Sequence, residues 1–337
     1  MKGVLRLVAA VSFGVMVASA QIFGLSTDST GRDIYFSTYL SQRGLGQPKY
    51  SGGNIEPFKF FRLRDGALTL IEQAPSQDLS LLVLGRYSYP RASVSANGDV
   101  LAVNRLAICL SGLAYTCEAA STLIQTPRGN LSFTGNATLS ANGRFAALFG
   151  NTDQSIPLLS SVRRVDLESG RATMVGYQAA QAGRVIADDG TILFWGEGGV
   201  RLSGPTQDIT LAPKFRMQRA ELAGDASRIV YEADYIGEIR VLDVSSGSDV
   251  SLGNGYFPTL AQDGRTFSCL RFGEDKAQVW LGDALTGAVR ALTNEPDGIL
   301  EQTISGDGRK VVAATYQGRV LSINTITGEV TQLLGPV

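Results

Sequence analysis

The side chains best suited to meeting a ligand are spaced by a phrase that recurs along the chain, aliphatic-Ser/Ala-x-Asp/Asn-Gly. A few residues ahead of successive copies stand Arg91, Asn136, Arg184, Arg219, Phe257 and Glu301. Guanidinium groups repeated at one structural position would build a positive surface suited to carboxylate, phosphate or acidic peptide groups. Tyr87, Tyr89 and Tyr256 lie in the adjoining segments and would add rigid amphipathic contact area. These are the candidate ligand-binding residues. The alternative reading has the arginines paired with neighbouring acids or facing solvent.

Catalysis has less to draw on. The chain has 337 residues and no histidine, which removes Ser-His-Asp triads, Cys-His pairs, His-ligated zinc and any imidazole proton shuttle. The acidic stretch Asn294-Glu295-Pro296-Asp297-Gly298 lacks calcium-loop spacing. The chain's two tryptophans are too few for a quinoprotein ring, so neither a metal nor a cofactor is expected. Glycoside hydrolysis needs only two carboxylates and stays open; no converging pair can be singled out, so no catalytic residue is assigned. Cys109 and Cys117 bracket a short segment that a disulfide could close in an oxidising compartment, the alternative being two unpaired thiols. Cys269, within Thr266-Phe267-Ser268-Cys269-Leu270, reads as a buried small hydrophobe.

The elements that must position these residues follow from the phrase itself. With 39 Gly, 14 Phe and 11 Tyr, the composition favours turns and pleated surfaces over helices. The copies are Val94-Ser95-Ala96-Asn97-Gly98, Leu139-Ser140-Ala141-Asn142-Gly143, Ile186-Ala187-Asp188-Asp189-Gly190, Leu260-Ala261-Gln262-Asp263-Gly264 and Ile304-Ser305-Gly306-Asp307-Gly308. Two degenerate copies, Leu25 to Gly31 and Leu222-Ala223-Gly224-Asp225-Ala226, make seven. A second phrase, typified by Val241-Leu242-Asp243-Val244-Ser245-Ser246-Gly247, follows most of them. Both are hairpin signals, because Asn-Gly and Asp-Gly supply the backbone conformation that turns between twisted strands require. Four antiparallel strands per unit, repeated seven times at about 45 residues each, predict an all-β, seven-bladed β-propeller. Its blades would begin near residues 22, 91, 136, 183, 219, 257 and 301, within one domain spanning 21–337. The candidate residues then ring the mouth of the central channel.

Residues 1–20 read as a secretory signal peptide: Lys2 and Arg6 precede an apolar run from Leu7 to Val17, and Ala18-Ser19-Ala20 offers a cleavage site. The run falls short of the roughly 20 residues a membrane span needs. A secreted protein, periplasmic or extracellular, with no membrane span after cleavage is expected. Cleavage takes two cations from a formal charge of −1, and with no basic footprint left, no nucleic-acid partner is expected.

The pairing of Ala141-Asn142-Gly143-Arg144 and Gln262-Asp263-Gly264-Arg265 with the later Asp-x-x-Ser/Thr-Gly phrase resembles the repeat of TolB-type, WD-repeat-like bacterial propellers, over residues 22–335. The resemblance is to the propeller part only. The N-terminal α/β domain that TolB-type proteins use to meet partners has no room here, so that partner network is not carried across. Because propellers host scaffolds and enzymes alike, the resemblance implies a fold more than an activity. The connections Thr38 to Pro57, Leu106 to Glu118 and Gly150 to Ser161 are long, and such loops in compact domains tend to carry function. The expectation is a monomeric, non-catalytic binding scaffold for a protein, an acidic peptide or a glycan, using the loop-rich face over blades one to three. The competing expectation is a carboxylate-dependent glycan-active enzyme.

Overall fold

The computed structural model describes residues 20–40, 59–73, 91–105, 109–110, 116–117, 121–150, 160–178, 183–196, 199–233, 237–273 and 276–335. They form seven antiparallel blades around a central channel, each built from strands consecutive in sequence apart from a small hairpin inserted in blade two. The innermost strands are Ala20–Thr27, Arg91–Val94, Asn136–Leu139, Met217–Leu222, Tyr256–Leu260 and Ile299–Ile304, in blades one, two, three, five, six and seven. Blade four is the exception, its innermost strand reduced to a bridge between Ile186 and Ile192. The backbone of Arg184 explains this: its N–H donates to Glu221 of blade five and its carbonyl accepts from Leu222 (2.8 Å), so it bonds to the neighbouring blade instead of its own. Among the described residues no helix is long and apolar enough to cross a membrane.

Second strands are covered on both faces, as their apolar sequences require. In Arg228–Ala233 and Lys310–Thr315 every residue after the first is buried. Neighbouring blades share apolar clusters, such as the one joining Phe194 and Ile192 of blade four to Leu222, Ile229 and Tyr231 of blade five. Blade five adds a buried ion pair: Arg240 Nε donates to Asp249 Oδ1 at 2.8 Å, and Tyr231 donates its hydroxyl to the other carboxylate oxygen at 2.7 Å.

The hairpin turns use the repeat phrase as its chemistry demands. In Ser140-Ala141-Asn142-Gly143, Ser140 Oγ accepts the Phe145 N–H (3.0 Å), Asn142 Oδ1 accepts the Arg144 N–H (3.0 Å), and Gly143 takes φ +70°. The copy with alanine in place of glycine keeps the same geometry, Ala226 standing at φ +59°.

These turns also lock the ring. Ser29 donates to Ala96 (2.8 Å), Ala96 to Ala141 (2.6 Å), Asp188 to Gly224 (2.8 Å), Gly224 to Gln262 (3.4 Å), Gln262 to Gly306 (2.8 Å) and Asp307 back to Ser29 (2.9 Å), all backbone to backbone. The one remaining junction is made by Asn142, whose amide N–H donates to Asp188 Oδ1 and whose side chain donates to the Asp188 carbonyl, both at 2.8 Å. Closure between blades seven and one therefore needs no exchanged strand. Ile22, Leu25, Ile34 and Phe36 pack there against Val312, Ala314 and Val320.

Candidate functional site

Where innermost strands begin, the structure brings some of the expected residues together and leaves others apart. Arg219 and Phe257 meet, the guanidinium lying over the ring at 4.1 Å from its centroid. Tyr256, next in sequence to Phe257, makes an edge-to-face contact with Phe272 at 5.4 Å. Arg184 lies deeper. Its guanidinium donates to the Leu260 carbonyl of blade six at 2.6 Å, and its Nε stands 4.0 Å from Glu221 of blade five. A side chain of blade four thus reaches blade six past the innermost strand of blade five.

The remaining candidates have other roles or positions. Glu301 accepts the Gly24 N–H at 2.7 Å and so belongs to the junction of blades seven and one. Asn136 is exposed on blade three, paired through its backbone with Phe149. Arg91 pairs through its backbone with Asn104, while its side chain and all of Tyr87 and Tyr89 lie outside the described residues. So do most of the long connections of blades one to three.

Glu221 is the residue that counting from the repeat overlooked. It sits two positions after Arg219, on the same side of the strand, with buried Ala220 and Leu222 facing the other way. Its carboxylate accepts the Arg184 N–H at 3.0 Å, and its side chain is only 12 % exposed. Burial pushes its pKa up to about 7, against the opposing pull of the Arg184 and Arg219 charges and of backbone N–H donors. The period-two alternation of a strand would have found it once Arg219 was placed.

Phe257 is held in an unusual way. Its φ of +54° lies in the left-handed region that bulky residues avoid, the residue is 36 % exposed, and its N–H donates to Glu232 Oε2 at 2.9 Å. Such a conformation survives only where the surroundings impose it, and it clusters at functional sites.

On the opposite, turn-bearing face a cavity of about 470 Å³ is lined by Asp188, Asp189, Gly224, Asp225, Gln262 and Asp263. Its acids serve the fold. Asp189 accepts the Thr191 N–H, Asp225 that of Ser227, and Asp263 those of Arg265 and Thr266, while Asp188 accepts from Asn142 and Gln262. Cys269 is wholly buried and its thiol is pushed up to about 11 by that burial, the state of an inert core residue. Cys109 and Cys117 stand directly opposite each other in the two-stranded hairpin Cys109–Leu110 and Thr116–Cys117 of blade two.

No family model matches this chain, and no curated protein matches it. Solved structures do. An acylaminoacyl peptidase from Pyrococcus horikoshii superimposes with a TM-score of 0.61 at 12 % identity, over 95 % of this chain and 53 % of that one. TolB from Acinetobacter baumannii gives 0.47 at 13 % identity, over 94 % and 79 %. An oligogalacturonate lyase in complex with manganese gives 0.49 at 12 % identity, over 94 % and 97 %. The chain spans about half the length of the peptidases it matches. At these identities the likeness is one of propeller fold.

Proposed function

We propose that this chain is a secreted, TolB-like propeller acting as a non-catalytic binding scaffold, and that its ligand meets the loop-bearing face at the channel mouth, on Arg219 and Phe257. The strained, exposed and cation-capped Phe257 carries this reading, because a bulky residue kept at φ +54° is of the kind that clusters at ligand-holding sites. The guanidinium beside it favours a ligand with a carboxylate or comparable anionic group. In this reading the long connections of blades one to three belong to the same face.

Screening the purified chain against defined peptide and oligosaccharide arrays tests the proposal. A bound ligand should be lost on Arg219→Gln and on Phe257→Gly, while Phe257→Gly melts no lower than the parent. An array with no binder, or affinity unchanged in both variants, overturns it.

One observation favours the competing, glycan-active reading: Glu221, pushed up to about 7, has the proton affinity of a general acid. Turnover of any arrayed oligosaccharide that disappears in Glu221→Gln would replace the scaffold reading with that one.

A further inference from the structure

The outermost strand of blade one, Ala67–Gln73, pairs with Lys59–Arg64 on one side and has no partner on the other among the described residues. Such an edge is a template for another strand, and proteins commonly blunt it with charge or proline. Ala67-Leu68-Thr69-Leu70-Ile71 has neither. Leu68 is 42 % exposed and Leu70 48 %, and no other outermost strand among the described residues exposes two aliphatic side chains. They stand opposite Leu63 and Phe61 and so share the face that packs toward blade seven. Both lie near the turn that begins the strand, at the end away from connections 41–58 and 74–90.

The hairpin fixes which backbone groups of this strand are free. Asp65 and Gly66, the two residues joining Arg64 to Ala67, both take positive φ, +49° and +79°, the type I′ turn that Asp-Gly favours. Across such a turn the flanking residues, Arg64 and Ala67, exchange the closing hydrogen bonds, and hydrogen-bonded pairs then alternate along the ladder. Ala67 and Thr69 therefore aim their N–H and C=O groups inward at Arg64 and Arg62, their register partners, while those of Leu68 and Leu70 point out over the rim. Beyond Leu70 the ladder is bulged, with Phe60 paired to Glu72.

We infer that this edge is a homodimer interface, on which a second copy of the chain adds the same strand antiparallel about a two-fold axis at Thr69. In that register Leu68 meets Leu70 of the second copy and Leu70 meets Leu68 of the second copy. The outward N–H and C=O groups of both edges are then all bonded, and four leucines gather on one face. This self-complementarity is what selects a second copy as the occupant. Charge does not oppose the pairing. Ala67 to Ile71 carries none, and the two Glu72 side chains fall at opposite ends of the paired strands, about 20 Å apart. Arg62 and Arg64 share Asp33 and leave one positive charge per copy, but on the strand behind. Two such strands stand about 14 Å apart across the pair, beyond the screening length of about 8 Å at physiological salt. Asp65 is paired with Arg32 at 2.6 Å. The inference goes beyond the binding reading, does not rest on it, and departs from the monomer expected from the sequence. Because the strand runs from the turn face to the loop face, antiparallel pairing points the two loop faces in opposite directions and leaves both channel mouths open. Far fewer residues are paired than the roughly 20–30 a side of a standard interface, so the dimer is a weak, concentration-dependent one.

Sedimentation equilibrium of the full chain from about 1 µM to about 500 µM tests the inference, a range that reaches weak association. The average mass should rise with concentration toward that of a dimer. Leu70→Lys, which puts a charge on an already exposed edge, should weaken association about tenfold or more and leave the melting temperature close to the parent's. Thr69→Cys should form a disulfide-linked dimer under mild oxidation, because residues opposed at a non-hydrogen-bonded site stand about 4.5 Å apart, within disulfide reach. Leu68→Cys and the parent should not link. A mass that stays monomeric throughout, a dimer that Leu70→Lys leaves unchanged, or linkage in Leu68→Cys where Thr69→Cys gives none, overturns the inference.

Discussion

At the scale of single residues, Glu221 carries the clearest pH signature. Its carboxyl stands at about 7 in the fold against an ordinary 4.5, so the folded chain holds that proton more tightly than the unfolded one. The associated stability is fully present below pH 4.5 and is lost as pH rises through 7. That loss is on the order of 3 kcal/mol. Chemical denaturation across this range should show the decline, and Glu221→Gln should flatten it; equal slopes in the two proteins would mean the carboxylate is no more costly folded than unfolded. Asp243 acts in the other direction and in a separate window. Hydrogen bonds from Ser245 and Ser246 hold it down at about 2, so its contribution is present above 3.8 and fades only in acid. The opposed Cys109 and Cys117 backbones give a second residue-scale expectation: both thiols resist alkylation until reductant is added. Modification of either without reductant would rule out the bond.

At the scale of the hairpin, what was readable in the sequence was whatever local chemistry dictates. Asn142-Gly143 and its counterparts announce turns because few other residue pairs reach that backbone conformation, and seven such signals compel a propeller. Relations between blades were not readable. The expected position in blade four produced Arg184, but nothing in its neighbours says that its backbone bonds to blade five, that its side chain crosses to Leu260, or that Glu221 waits between. That Glu301 also bonds across the seam of blades seven and one was unreadable for the same reason, its partner Gly24 lying at the other end of the chain. Two glycines separate the conformational and steric parts of the turn's requirement. At Gly170 a methyl group would meet nothing within 4 Å, so Gly170→Ala should cost about 1–2 kcal/mol from the left-handed backbone alone. At Gly143 the methyl would lie 2.9 Å from Ser95 Cβ, and Gly143→Ala should cost more. Urea midpoints compare the two; equal losses would mean that the turn ring yields freely. In blade five, Asp249→Ala takes from buried Arg240 one of its two carboxylates, leaving Glu238, and removes the acceptor of the buried Tyr231 hydroxyl, and unfolding free energy should fall by about 3 kcal/mol. A fall below about 1 kcal/mol would show the pair to be dispensable.

At the scale of the whole molecule, the seven turn-to-turn junctions make the blades one cooperative body. Amide exchange at Ser29, Ala96, Asp188, Gln262 and Asp307 should therefore proceed at similar, slow rates, with the junction of blades seven and one no weaker than the others. Much faster exchange at Asp307 would mark that seam as a separate opening point.

The direction of the first strand adds a consequence for orientation. Ala20–Thr27 is innermost in its blade and ends at the turn ring, so it starts at the loop face, whereas Val330–Leu334 is the outermost strand of its own blade. The two ends of the described chain are thus a hub and a rim. Anything fastened ahead of Ala20 holds the propeller by its axle on the side proposed for the ligand and competes for space there. Anything fastened after Leu334, where the outermost strand returns to the same face, leaves from the circumference and lies farther from the channel mouth. A fusion partner or immobilisation tag placed at the hub should accordingly suppress binding that the same tag at the rim permits.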